Sequence, residues 1–301
     1  MAITFVAEGS VANVASGNVT PGAPAGTQAG DLLIACIAYR SNAAFTNPTG
    51  GEWTTIATQQ SSGNTSTTAS TAIASGHMAY CIRGASDPNF TFTRTGGNVA
   101  RAMVFAFRGV DPTTPLDNAN AVTEASNTTT PTVSGWTPSR ANNLYVQFCA
   151  GADNVTSSAW TQSGGSGFSS WTEQEDSNTW LGADTNLSVA WATASGTDAI
   201  TNFSLTKAAS SRHVLFAAGF NVSNAWETGP LSLDAVGDII AFVPDAPTFN
   251  QGGVDYLLRD TFSSDLNPLV DANASEGSGI GYRDVTGTGM YAANGRLRGG
   301  G

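Results

Sequence analysis

The stretch DLLIACIA, Asp31 to Ala38, has a partner in NLYVQFCA, Asn143 to Ala150. The pair decides the fold. Each is a short apolar run bounded by Gly, Asn, Asp or Ser, too short for a buried helix and rich in residues that suit a pleated surface, so each reads as a strand. The runs MAYCI at 78–82 and AMVFAF at 102–107 read the same way. NFTFT at 89–93 alternates, with Phe90 and Phe92 on one face and Asn89, Thr91 and Thr93 on the other, the pattern of a half-buried strand. Helical periodicity is absent over any stretch of ten residues or more, and the expected fold class is all-β.

Working outward, the chain matches itself at an offset of about 110 residues. Ala15-Ser16 and Thr20-Pro21 match Ala125-Ser126 and Thr130-Pro131, and Trp53-Thr54 matches Trp171-Thr172. AYCIRGASDPNFTFTR from Ala79 aligns with AWATASGTDAITNFSLTK from Ala190 when two residues are inserted ahead of Asn89, so that Asn89-Phe90 meets Asn202-Phe203. Arg101 and Phe105 then meet Arg212 and Phe216. This ordered agreement predicts a duplicated strand unit filling residues 1–222, with units of 1–112 and 113–222 that form one compact jelly-roll-like β-sandwich. The joining segment around 110–120 carries no long linker. After Asn224 the repeat stops; residues 223–301 are expected to form an irregular, extended C-terminal segment or small β subdomain. Its glycine-rich end, from Gly277, reads as an assembly or attachment element, which favours a homo-oligomer, a trimer above others.

Composition narrows the function. Charged residues make up 12% of the 301 positions, and the formal net charge is −11, with Lys207 the sole lysine. Such a surface repels a phosphate backbone, so nucleic acid is not an expected partner. No apolar window approaches the length of a membrane span, and MAITFVAEGS lacks the basic and apolar regions of a signal peptide. Cys36, Cys81 and Cys149 lie inside apolar runs and read as buried free thiols.

Catalytic signatures are missing. His77 and His213 are the two histidines, too scattered with the cysteines to make a zinc site, and no metal or cofactor is expected. No Gly-x-Ser-x-Gly elbow occurs; the loop GGSG at 164–167 is only glycine-rich. Gly277, Gly279 and Gly281 lack the flanking strand and helix of a nucleotide loop. Glu173, Glu175 and Asp176 could serve a glycosidase only if two carboxyls faced one cleft, and that acidic loop, or Asp153 and Asp184, could hold calcium only without EF-hand spacing. The chain is therefore read as no enzyme. Among the tryptophans, Trp53 and Trp171 occupy matching positions and read as core, while Trp160 and Trp180 read as residues of polar loops and are the better candidates for a glycan contact.

AGDLLIACIAYR, GEWTTIA, MAYCIRGASDPNFTFT and FAFRGVDPTTPLDNA, followed by TPTVSGW and NLYVQF, together resemble a recurrent β-sandwich module of structural proteins in tailed phages and prophages, and of some bacterial surface proteins. The resemblance covers residues 20–222. Its most specific piece is Arg108-Gly109-Val110-Asp111 with Pro115-Leu116-Asp117. It implies a jelly-roll-like module for decoration, attachment or adhesion, with no catalytic residues to carry over. The expected protein is a virion component made in the host cytoplasm and exposed on the particle surface, a capsid decoration protein, head fibre or minor tail protein, whose partners are the major capsid or tail proteins. The alternative is a receptor- or glycan-binding adhesin that meets a host surface glycan. RDTFSSDLNP, from Arg259, is faintly similar to the opening of lectin-like domains that follow such modules.

Overall fold

The computed structural model describes residues 2–41, 43–60, 73–123, 127–152, 154–178 and 185–223, with the backbone of a hairpin at 290–293 and 296–299. Every element among them is a strand and every ladder is antiparallel. The chain divides into two units, Met1–Trp226 and Glu227–Gly301.

In the first unit the chain runs through β1 (Thr4–Glu8), β2 (Ala12–Val14), β3 (Leu32–Tyr39), β4 (Thr54–Gln60), β5 (Ser75–Ile82) and β6 (Ala100–Arg108). It continues through β7 (Leu116–Thr123), β8 (Thr132–Ser134), β9 (Asn143–Gly151), β10 (Ser157–Gly164), β11 (Thr172–Asn178), β12 (Asn186–Ala194), β13 (Ile200–Lys207) and β14 (His213–Phe220). The first sheet has the order β1-β6-β3-β5-β4, with β2 also on β6. The second has the order β7-β14-β9-β12-β11, and a third, smaller sheet has β8-β13-β10.

The two large sheets pack face to face. Leu32, Ile34, Cys36, Met103, Phe105 and Phe107 of the first meet Leu144, Val146, Phe148, Val189, Phe216 and Phe220 of the second in one core. The opposite face of the first sheet carries Leu33, Ala35, Ile37 and Tyr39 and is covered by Val19, Phe45, Trp53 and Phe92. The opposite face of the second carries Tyr145, Cys149, Leu215 and Ala217 and is covered by the third sheet through Val133, Trp160, Phe203 and Leu205. This layering explains the unbroken apolar runs. An antiparallel sheet with one wet face alternates, but β3, β9 and β14 are buried along their whole length because both faces are covered.

Two sequence expectations change at this level. NFTFT forms no strand; Phe92 bridges Val19 and Thr93 bridges Thr46, and the ladder stops there. The match between the halves also shifts. Leu32 faces Phe107 as Leu144 faces Phe220, which sets Phe105 against Ala218 and not Phe216. Phe90 and Phe92 both pack edge-on to Trp53, at 6.0 and 5.2 Å, as Phe203 packs on Trp171 at 6.2 Å.

Between the halves, Arg108-Gly109-Val110-Asp111 forms a brace. Arg108 makes a two-pronged contact with the buried Asp31, at 2.9 and 2.8 Å. Gly109 has φ of 91°, and a Cβ there would stand 2.7 Å from the carbonyl oxygen of Ala2. Val110 bridges Val222. Asp111 accepts from the backbone and hydroxyl groups of Thr113 and Thr114 and from Arg140 at 2.7 Å. Asp117 accepts from Trp136 Nε1 at 3.3 Å and from Ser139.

In the second unit, Met290–Ala293 and Arg296–Gly299 pair as an antiparallel hairpin, β15 and β16, within the glycine-rich tail. The groups DIIAFV and DYLLRDTF lie outside the described residues.

Candidate functional site

Trp160 is not in a loop. It sits on β10, 6% exposed, and its Nε1 donates to Glu173 Oε2 at 2.8 Å. A bulge in β10 between Ser158 and Thr161, with Ala159 at φ of 47°, turns this ring into the core of the second half, which removes the aromatic face a sugar would stack on. Trp180, with Asp153 and Asp184, lies outside the described residues. Trp53 and Trp171 share a role: each packs edge-on to a buried phenylalanine, Phe92 at 5.2 Å and Phe203 at 6.2 Å, and each satisfies its indole N–H, on Asn89 O and Gln162 Oε1.

The acidic loop of the sequence is strand β11, with a bulge between Glu173 and Glu175. The bulge leaves the carboxylates aimed at different layers. Glu173 reaches Trp160 in the third sheet, whereas Glu175 reaches Arg101 of β6 at 3.4 Å, in the first. They do not converge on one cleft, the arrangement a glycosidase pair needs. Burial raises the Glu175 pKa, Arg101 draws it down, and Glu8 and Asp176 push it up again.

Asp176 returns to the third-sheet side and anchors a buried polar pocket. Its carboxylate accepts from Ser157 N, Asn186 Nδ2 and Ser188 Oγ, at 2.8, 2.8 and 2.7 Å. Register explains the company. Asn186, Gly151 and His213 lie side by side across β12, β9 and β14, with Ser188 and Cys149 one step along on the same face. Over them comes Lys207 of β13, 2% exposed, donating to Val155 O at 3.2 Å. A signal for this existed: in ITNFSLTK, Phe203, Leu205 and Lys207 share one strand face, so the sole lysine follows two core residues inward. His213 is held below its usual range, at about 4, by burial first and then by Lys207, with the Ser211 carbonyl opposing. Burial raises the Cys149 thiol, with Lys207 pulling it down and Asp176 pushing it up.

His77 is elsewhere, between the first sheet and its cover. Its ring nitrogens lie 2.7 Å from Thr58 Oγ1 and 2.9 Å from Asn47 Oδ1, and burial lowers its pKa to about 4. Cys36, Cys81 and Cys149 are free and buried. Among the described residues no three His, Cys, Asp or Glu side chains gather as a metal site. A surface groove of about 470 Å³ runs beside Ile3, Asn142, Phe168, Ser169, Thr193 and Ser195.

Compared with protein families, with curated proteins and with solved structures, the chain matches none.

Proposed function

We propose that this chain is a structural protein of a tailed-phage virion, exposed on the particle surface as a capsid decoration protein, head fibre or minor tail protein. The observation that carries the reading is the brace. Of the residues most specific to the resemblance, Val110 and Asp111 tie the first half to the second through Val222 and Arg140, while Arg108 is held on Asp31 within the first half and Asp117 on Trp136 and Ser139 within the second. A block so braced, with charge of −11, suits display more than turnover.

The same reading takes the two halves as a duplication of one jelly-roll-like unit, since β1, β6, β3, β5 and β4 recur in order as β7, β14, β9, β12 and β11. The tail with the β15–β16 hairpin is the assembly element of a homo-oligomer, a trimer first, that contacts the major capsid or tail protein.

The test is immunogold labelling of intact particles from a lysogen that encodes the chain. Gold at regular positions on heads or tails is expected; particles free of the protein would end the proposal. Binding to a host glycan array, with no protein on the particle, would move the assignment to an adhesin.

A further inference from the structure

We propose that Lys207 and Asn186 become joined by an isopeptide bond, Nζ to Cγ, which ties the second and third sheets together covalently. Four requirements of that reaction meet in the polar pocket: an amine, a carboxamide, a proton relay and exclusion of water. Lys207 Nζ and the Asn186 side chain crowd the same point. Gly151 pairs with Asn186 across the ladder, and a Cβ built on it would lie 3.2 Å from Lys207 Nζ, 3.3 Å from Asn186 Cβ and 3.6 Å from Asn186 Oδ1. The missing side chain at Gly151 is what lets the amine descend onto the sheet. Lys207 and Asn186 are 2% and 0% exposed.

The flanking groups suit the chemistry. Asp176 Oδ1 holds Asn186 Nδ2, the leaving nitrogen, at 2.8 Å. Ser188 Oγ lies 2.7 Å from both Asp176 Oδ1 and Asn186 Oδ1, and its one hydroxyl proton can turn from the carboxylate to the amide oxygen as negative charge develops there. Lys207 and Asp176 both act on the Cys149 thiol; the two charges are not in ion-pair contact, so the ammonium must shift toward the carboxylate for the proton to pass.

The step balances without oxidant or cofactor. The Asp176 carboxylate takes a proton from the Lys207 ammonium, and the neutral Nζ forms a bond to Cγ of Asn186. Asp176 delivers the proton to Nδ2, the Cγ–Nδ2 bond breaks, and nitrogen leaves as ammonia. The second proton that Nζ loses leaves with it, as ammonium.

Mass spectrometry of the folded full-length chain tests this. The linked protein should weigh about 17 Da less than its sequence, the mass of one ammonia. Trypsin should fail to cut after Lys207, giving one peptide of residues 141–212 in place of 141–207 and 208–212, with fragment ions joining Asn186 to Lys207. The loss should vanish in Lys207→Arg and in Asp176→Asn. A full sequence mass with normal cleavage after Lys207 overturns the proposal, as does a loss that persists in Lys207→Arg. A link that persists in Asp176→Asn overturns the relay.

Discussion

Asp111 shows what single residues contribute. Burial alone would raise its pKa, but hydrogen bonds from Thr113, Arg140 and Thr114 outweigh that and hold the carboxyl below the ordinary range. A depressed carboxyl stabilises the fold above its unfolded pKa and loses that contribution as pH falls through the folded value. Asp111→Asn should cost about 1–3 kcal/mol at pH 7 by urea denaturation, and the gap to wild type should close in acid. The histidines act over a higher window. His77 and His213 titrate at about 4 against a usual 6.5, so the neutral ring is the one the fold accepts. Their contribution is complete above pH 6.5 and is lost as pH falls toward 4, up to roughly 3 kcal/mol each. The urea midpoint should slope downward through that window, and His77→Gln or His213→Gln should each flatten the slope. Sequence alone marked the brace as specific without giving its roles, because the partners Asp31, Arg140 and Val222 are distant in the chain. The thiols were easier: Cys36, Cys81 and Cys149 sit in runs buried throughout, and all three are free.

Strands were legible where the signal was apolar content and opaque where it was contact. β3, β6 and β9 announce themselves through length and bounding residues. NFTFT alternates like a strand, yet its edges find only Val19 and Thr46 to bridge, while the matching β13 has β8 and β10 on either side. β11 and β10 looked like polar loops because their outward residues are Glu, Gln and Ser, and the inward Trp160 was read with them. The contact between β5 and β14 is likewise invisible in sequence. A Cβ on Gly76 would stand 2.5 Å from the ring of Phe216, which stacks on Phe148 with centroids 5.0 Å apart. Gly76→Ala should therefore cost about 1–3 kcal/mol through overpacking. Phe216→Leu in the same chain should recover part of that loss, and a double-mutant cycle in urea measures the coupling. Additive losses would mean that the two sheets do not meet at this point.

At the scale of the whole first unit, the arrangement decides how it unfolds. Each half owns an outer core, but the central core belongs to both, since one wall is built from β3 and β6 and the other from β9 and β14. Phe5 and Phe107 pack on Trp191, Tyr80 packs on Phe220, and Arg40 donates to the carbonyl of Ala152 across the same seam. A half taken alone would leave an apolar sheet face in water at about 25 cal/mol per Å². Residues 1–223 should therefore lose near-UV and far-UV signal in one urea transition. Phe148→Ala, in the shared core, should lower that single transition by about 3–5 kcal/mol. Fragments 1–112 and 113–223 should each be molten or aggregated, and should recover native spectra when mixed, because the seam is the surface that each lacks. Two resolved transitions in the intact chain, or a stable monomeric half, would show that the outer cores suffice and that the seam is only an interface between finished domains.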